Sequence, residues 1–334
     1  MYFFKTFAYG IVAIFKGIIK FIKYFFMGLF NVITIIPKYF IFGIMALFGK
    51  KRYVKTTKQN KIISVCMIGI SLTVYLICVF LISRWYVQGL KIKYLSKDII
   101  DKTEIIEKEE HTEEEDNSTD NNSDNNEEVD NVYYPNDYWD YLSVPFMNVN
   151  FNELIAKNSD TVGWIKVDGT KVNYPVVQSS DNEYYLSHAF NGSSNAGGWI
   201  FADYRSDFTN FGKNTIIYGH NMNNKTMFGS VPNMLYDGYL SNSSNYYIKV
   251  STPTTNTVWK VFSVYTIEPE VYYLRTSFNA LPFEEFINTL KGRSIYDFGI
   301  DVSADDKILT LSTCDNTGTK RVAVHAKMIS IEYK

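Results

Sequence analysis

Three patterns of apolar and polar positions follow one another along the chain. Residues 1–49 are apolar and aromatic, but Lys5, Lys16, Lys20, Lys23 and Lys38 interrupt them. Ile62–Ile82 then runs for twenty-one residues without a formal charge, enough for one helical crossing of a bilayer, which takes about 20. From Gly163 onward, short stretches rich in β-branched and aromatic residues alternate with turn residues such as Asp168-Gly169 and Asn191-Gly192. Eight of these stretches read as strands: Gly163–Val167, Lys171–Gln178, Gly198–Ala202, Asn214–Tyr218, Tyr246–Val250, Thr257–Tyr265, Lys307–Ser312 and Arg321–Ile331. Helices are expected at Asn152–Ser159 and at Pro282–Gly292, where Phe283, Phe286, Ile287 and Leu290 recur at helical spacing. Many short strands with few helices predict a mainly β fold, a closed or nearly closed barrel.

Charge divides the chain more sharply than the net value of −2 suggests. Residues 1–97 hold fifteen Lys/Arg and no Asp/Glu, whereas residues 98–130 hold fifteen Asp/Glu against two Lys. The basic residues lie among apolar runs, which points to a membrane surface rather than to nucleic acid. Lys50, Lys51, Arg52, Lys55, Lys58 and Lys61 crowd the N-terminal flank of the uncharged segment. That bias places the N-terminus in the cytosol and the rest outside the cell, behind an uncleaved single-pass anchor in the cell membrane. For residues 1–49 an amphipathic, interfacial or re-entrant segment is expected, with a second pair of spans as the alternative. Residues 84–108 are expected to extend as a helical stalk. Glu109–Asp130 is Glu, Asp, Asn and Ser with almost nothing to bury, and reads as a disordered, self-repelling spacer. It contains no EF-hand spacing for calcium. The chain therefore divides into a basic apolar region (1–61), an anchor (62–82), a stalk and acidic linker (83–132), and a folded domain (133–334).

Candidate chemistry concentrates near the C-terminus. Of the three cysteines, Cys66 and Cys78 fall in the apolar segment, which leaves Cys314 without a disulfide partner. Cys314 closes an alternating stretch from Ile308, a polar turn containing Gly318 follows, and Arg321 opens the next strand. A cation beside a thiol favours the reactive thiolate, and a fixed cation can also hold an oxyanion. Among the four histidines, His220 stands at a strand end after Asn214–Tyr218 and Gly219. His111 lies in the spacer, and His188 and His325 are expected to be structural or solvated. Cys314, His220 and Arg321 supply a nucleophile, an acid/base and an electrostatic clamp, the set needed for acyl transfer through a thioester. No metal-ligand spacing, phosphate loop or G-x-S-x-G elbow is present, so no motif calls for a metal or cofactor.

These residues also carry a resemblance. Thr310-Leu-Ser-Thr-Cys314 followed by Arg321, with Tyr218-Gly-His-Asn-Met222 and Met227-Phe228 upstream, is similar to the sortases. Val162–Gly169, Tyr174-Pro-Val-Val-Gln178, Asp181–Leu186 and Ile200-Phe-Ala-Asp203 resemble the class B members in particular. The resemblance runs from about Phe151 to Lys334. It implies an eight-stranded sortase β-barrel with an N-terminal helical addition, and a cysteine transpeptidase that cuts a Thr–Gly or similar bond in the C-terminal sorting signal of surface proteins. Cys314 would form the thioacyl intermediate, an amine of a cell-wall precursor would resolve it, His220 would be the general acid/base, and Arg321 would hold the substrate carbonyl or the oxyanion. The resemblance further implies sorting-signal contacts at Asn182, Leu186, Tyr273, Leu274 and Ser312. Two other readings remain at this stage: a thiol protease that releases surface proteins, and an inactive surface scaffold module.

Overall fold

A computed structural model describes residues 57–107, 144–279 and 281–334, the side chains of 57–68 and 71 excepted. Residues 1–49, expected to be interfacial or re-entrant, the expected spacer Glu109–Asp130 and the expected domain start near Tyr133–Trp139 lie outside the described residues. The chain falls into two units, one ending at Tyr86 and one running from Val87 to Lys334.

Helix α1 covers Thr57–Lys102. Among the described residues it holds one segment, Leu72–Lys102, long and apolar enough to cross a membrane, and Ile70, Leu72, Leu76, Phe80 and Ile82 are exposed. It is a candidate membrane anchor. Its last turns belong to the second unit, where Ile92, Ser96 and Ile99 are buried. Strand β1 (Ile105–Glu107) then pairs antiparallel with β2 (Met147–Val149). No local pattern announces this pair, because each strand has three residues and a long polar stretch separates them. Glu107 anchors the pair to the barrel through ion pairs with Lys166 and Lys249. Helix α2 covers Asn152–Lys157. It stops short of Ser159 because Asn158 is extended and its side chain bonds the Tyr185 hydroxyl at 2.9 Å and the Phe190 carbonyl at 2.7 Å.

The eight expected strands are all present: β3 (Thr161–Val167), β4 (Asn173–Val177), β5 (Phe201–Ala202), β6 (Asn214–Tyr218), β7 (Tyr247–Ser251), β8 (Thr255–Ile267), β9 (Ile308–Cys314) and β10 (Arg321–Tyr333). They close into one barrel in the order β10-β8-β7-β3-β4-β5-β6-β9. Closure removes the sheet edges that would otherwise invite pairing with other chains. The short helix α3 (Asp237–Leu240) precedes β7, and α4 (Phe283–Arg293) lies between β8 and β9. Helix α4 buries Phe283, Phe286, Ile287 and Leu290, the stripe expected from spacing. The Ser263 hydroxyl of β8 donates to the Leu290 carbonyl at 2.7 Å.

Strand β9 is buried at every position but its last, Cys314. It is paired on both edges, and its buried hydroxyls find partners: Thr310 with Asn214, Ser312 with Tyr273 and Thr313 with the Gly219 carbonyl. Burial of Ile308, Leu309 and Leu311 contributes roughly 1.5–3 kcal/mol each. That packing leaves one end of β9 as the place where a thiol emerges from the core.

Candidate active site

Strand direction assembles the site. Strands β6 and β9 are parallel neighbours with Tyr218 opposite Ser312. Parallel strands end on the same rim, and joining them takes a long crossover, here residues 219–307. His220 and Cys314 each lie two residues beyond that last matched pair, so the two chain segments deliver them to one edge. Two bonds hold the register beyond the strand: the Gly219 amide donates to the Ser312 carbonyl at 3.4 Å, and the Thr313 hydroxyl donates to the Gly219 carbonyl at 2.7 Å. Antiparallel β10 begins where β9 ends, with Arg321 opposite Cys314. The turn between them uses Gly318 at φ +76°, a left-handed conformation that side chains disfavour. Gly219 has a steric reason, since a Cβ there would lie 2.7 Å from the Phe228 ring.

His220, Cys314 and Arg321 face one groove of about 570 Å³. All three are half-buried. The Arg321 Nη1 donates to the Cys314 Sγ at 3.4 Å. The His220 Nε2 is 2.9 Å from the Leu186 carbonyl, so the wall that carries Leu186 also orients the imidazole. Asn182, Leu186, Tyr273, Leu274 and Ser312, the five positions implied for substrate contact, also line this groove. Tyr273 and Ser312 form its floor, bonded to one another at 3.0 Å. Leu186 is 44% exposed, so an apolar side chain stands partly uncovered at the mouth. A thiol, an imidazole and a guanidinium on one partly apolar groove can perform acyl transfer on an extended peptide.

A polar chain in the barrel interior supports the Tyr273 wall. The Asn214 Nδ2 donates to the carbonyls of Tyr273 at 3.2 Å and Arg275 at 2.8 Å, and the Thr310 hydroxyl donates to the Asn214 Oδ1 at 2.7 Å. With its proton committed there, Thr310 accepts from the His325 Nδ1 at 2.9 Å, which leaves the Nε2 lone pair to accept from the Tyr265 hydroxyl at 3.0 Å. His325 is therefore neutral. Burial, aided by the Arg293 charge, pushes its pKa down to about 3. Burial likewise pushes the phenols of Tyr265 and Tyr273 up.

His188 takes no part in the groove: it is stacked on Tyr184, ring centroids 4.1 Å apart. Among the described residues there is no cluster of three or more metal-ligating side chains. Groove residues that the sequence left unmarked include Glu270, ion-paired to Arg293 at 2.6 Å, and Val271, 80% exposed at the mouth. Both lie in the irregular segment after β8, where no periodicity marks a position as facing a site.

Comparison with known proteins points to one family. The family model for the sortase domain covers residues 165–329, which contain the whole groove. Sortase B of Listeria monocytogenes is 37% identical over 164 residues, 49% of this chain and 66% of that protein. Sortase B of Staphylococcus aureus is 35% identical over 185 residues, 54% of this chain and 75% of that protein. A crystal structure of a Bacillus anthracis protein described as similar to sortase B aligns with a TM-score of 0.50 at 38% identity, covering 55% of this chain and 83% of that one. The chain thus spans about two thirds of the first of these relatives and more of the other two. By motif, barrel and relatives alike, it belongs to the sortase family of cysteine transpeptidases, in the B class.

Proposed function

We propose that this chain is a membrane-anchored transpeptidase that cuts the C-terminal sorting signal of surface proteins and joins the freed carbonyl to an amine of the cell wall. The thiolate of Cys314 attacks the scissile carbonyl, a C–S bond forms, and Arg321 holds the resulting oxyanion. His220 passes a proton to the leaving amine as the C–N bond breaks, which leaves a thioester on Cys314. The acceptor amine attacks that thioester and gives its proton to His220, and Cys314 leaves as thiolate. Asn182, Leu186, Tyr273, Leu274 and Ser312 line the path of the signal peptide. No step requires a metal or cofactor. What carries this reading is the meeting of Cys314, His220 and Arg321 in one groove, with the guanidinium 3.4 Å from the sulfur.

The anchor is the uncharged part of α1, residues 62–82, and the lysine-rich flank at 50–61 supports a cytosolic N-terminus with the barrel outside the cell. The test is turnover by the full chain in detergent micelles. Internally quenched peptides with a central Thr–Gly bond and varied residues before it are offered with and without triglycine. Ligation to triglycine that disappears in Cys314→Ala is expected. Hydrolysis alone would indicate a protease, and turnover that survives the substitution would end the reading.

A further inference from the structure

The two walls of the groove come from distant parts of the chain. One is the segment Asn182–Leu186 between β4 and β5, and the other is Tyr272–Leu274 after β8. Neither is a strand, so sheet hydrogen bonds do not set the distance between them. A carboxylate behind the groove reaches both. Asp203 is fully buried. Its Oδ2 accepts from the Asn182 Nδ2 at 2.9 Å, the Tyr218 hydroxyl at 2.8 Å and the Arg205 Nη2 at 2.7 Å. Its Oδ1 accepts from the Arg205 Nε at 2.8 Å and the Arg205 amide at 2.9 Å. The Arg205 Nη2 continues to the Leu274 carbonyl at 3.1 Å. Asn182 is held at its other end as well, because its Oδ1 accepts from the Tyr204 amide at 3.0 Å.

Only the carboxylate end of this pair is buried, since the Arg205 side chain is 40% exposed, and desolvation of a buried charge offsets much of the attraction, so the pair is a poor stabiliser. It is a good ruler, because bidentate geometry fixes distance and direction together. Burial works against the charge on Asp203, yet the hydrogen bonds from Arg205 and Tyr218 outweigh it and hold the carboxyl below the usual carboxylate range. The Asp203 backbone is locked too: its amide donates to the Ile216 carbonyl at 2.9 Å, and its carbonyl accepts from the Gln178 Nε2 at 2.8 Å. The ruler is therefore mounted on β6 and on the end of β4. Neither Asp203 nor Arg205 lines the groove.

We propose that Asp203 and Arg205 are positioning residues that set the separation of the Asn182–Leu186 and Tyr272–Leu274 walls, and so determine how tightly the groove grips an extended peptide. This rests on the transpeptidase reading for the identity of the ligand, but its consequences for the walls do not. Arg205→Ala loosens the second wall at Leu274 only, while Asn214 still holds the Tyr273 and Arg275 carbonyls. Asp203→Asn removes one acceptor from a carboxylate with five donors and frees both walls. Arg205→Lys keeps the charge but cannot reach Asp203 and the Leu274 carbonyl with one planar fork.

Two measurements on the full chain in micelles test this. In steady-state turnover of a quenched Thr–Gly peptide, Arg205→Ala is expected to raise KM about tenfold and Arg205→Lys about threefold. Expected alongside are a kcat per titratable thiol within about twofold and an unchanged share of product captured by triglycine. Amide hydrogen exchange is read on the same variants whether or not any peptide is turned over. Arg205→Ala should speed exchange at Leu274, Asp203→Asn at both Leu274 and Leu186, and neither variant within β9. A fall in kcat and thermal midpoint with KM unchanged, or wall exchange rates indistinguishable from those of the native chain, would overturn the proposal. A native chain that turns over no peptide counts instead against the transpeptidase reading, and the exchange data still decide the role of the pair.

Discussion

His220 and His325 are the same side chain, one lining the groove at the end of β9 and the other bonded to its interior, yet their surroundings make them different chemical objects. His325 sits within β10 with both ring nitrogens committed, one to Thr310 and one to Tyr265, and with no exposed surface. His220 sits just past the end of β6, half-buried, with its Nε2 against the Leu186 carbonyl. Burial with a complete set of partners turns an imidazole into a fixed neutral spacer. A place on the rim, on the same groove as a thiol, is what the proposed function needs of an imidazole that exchanges a proton with a substrate. Under the proposed function, a place on the rim rather than inside the barrel separates a chemical histidine from a structural one.

The strongest way to break that contrast is to exchange the costs. His220→Ala is expected to lower kcat/KM by about 10³-fold, within the range for a general acid/base, while moving the thermal midpoint by no more than a few degrees. Peptide cleavage and differential scanning calorimetry check the two halves. His325→Ala should do the reverse. It leaves the Thr310 and Tyr265 hydroxyls without partners in the core and is expected to cost about 2–4 kcal/mol in a urea titration. Turnover per folded molecule should stay within about threefold.

A subtler contrast lies in pH. In the unfolded chain His325 takes up a proton near its ordinary value, whereas in the folded chain it does so only near pH 3. Its contribution is fully present above about pH 6.5 and is lost as pH falls toward 3, because the unfolded state binds the proton first. Between pH 7 and pH 5 this amounts to about 2 kcal/mol. Urea titrations at the two pH values should show that loss, and His325→Gln should flatten it. The smallest effect concerns the wall that orients His220. Leu186→Ala removes an exposed side chain but keeps the carbonyl that meets the imidazole. Stability should change by less than about 1 kcal/mol, with KM for the quenched peptide raised a few-fold and kcat nearly constant.

Much of this was legible along the chain. The strands and the α4 stripe could be read because burial on a strand or helix face imposes a period on neighbouring residues. Cys314 stood out as a thiol with no partner at a strand end, and Arg321 as the first residue after a short turn. His220 could be placed at a strand end, but nothing local distinguishes that rim from the opposite one. The strand-end placement of His220, matching that of Cys314 and Arg321, suggested the link, and the resemblance of the motifs to sortases strengthened it.

By itself the sequence determined the strand segments, the closed β architecture they favour, the thiol and guanidinium at one turn, and the apolar segment that reads as an anchor. These are consequences of near-neighbour chemistry. Only the tertiary structure decided that β6 runs parallel to β9, which carries a residue more than ninety positions away from Cys314 to the same rim. It also decided that Asp203 stands behind two loops at once and that His325 finds two hydroxyls in the core. Such pairings come from which strands neighbour each other when the barrel closes, a collective packing outcome that no stretch of residues encodes alone.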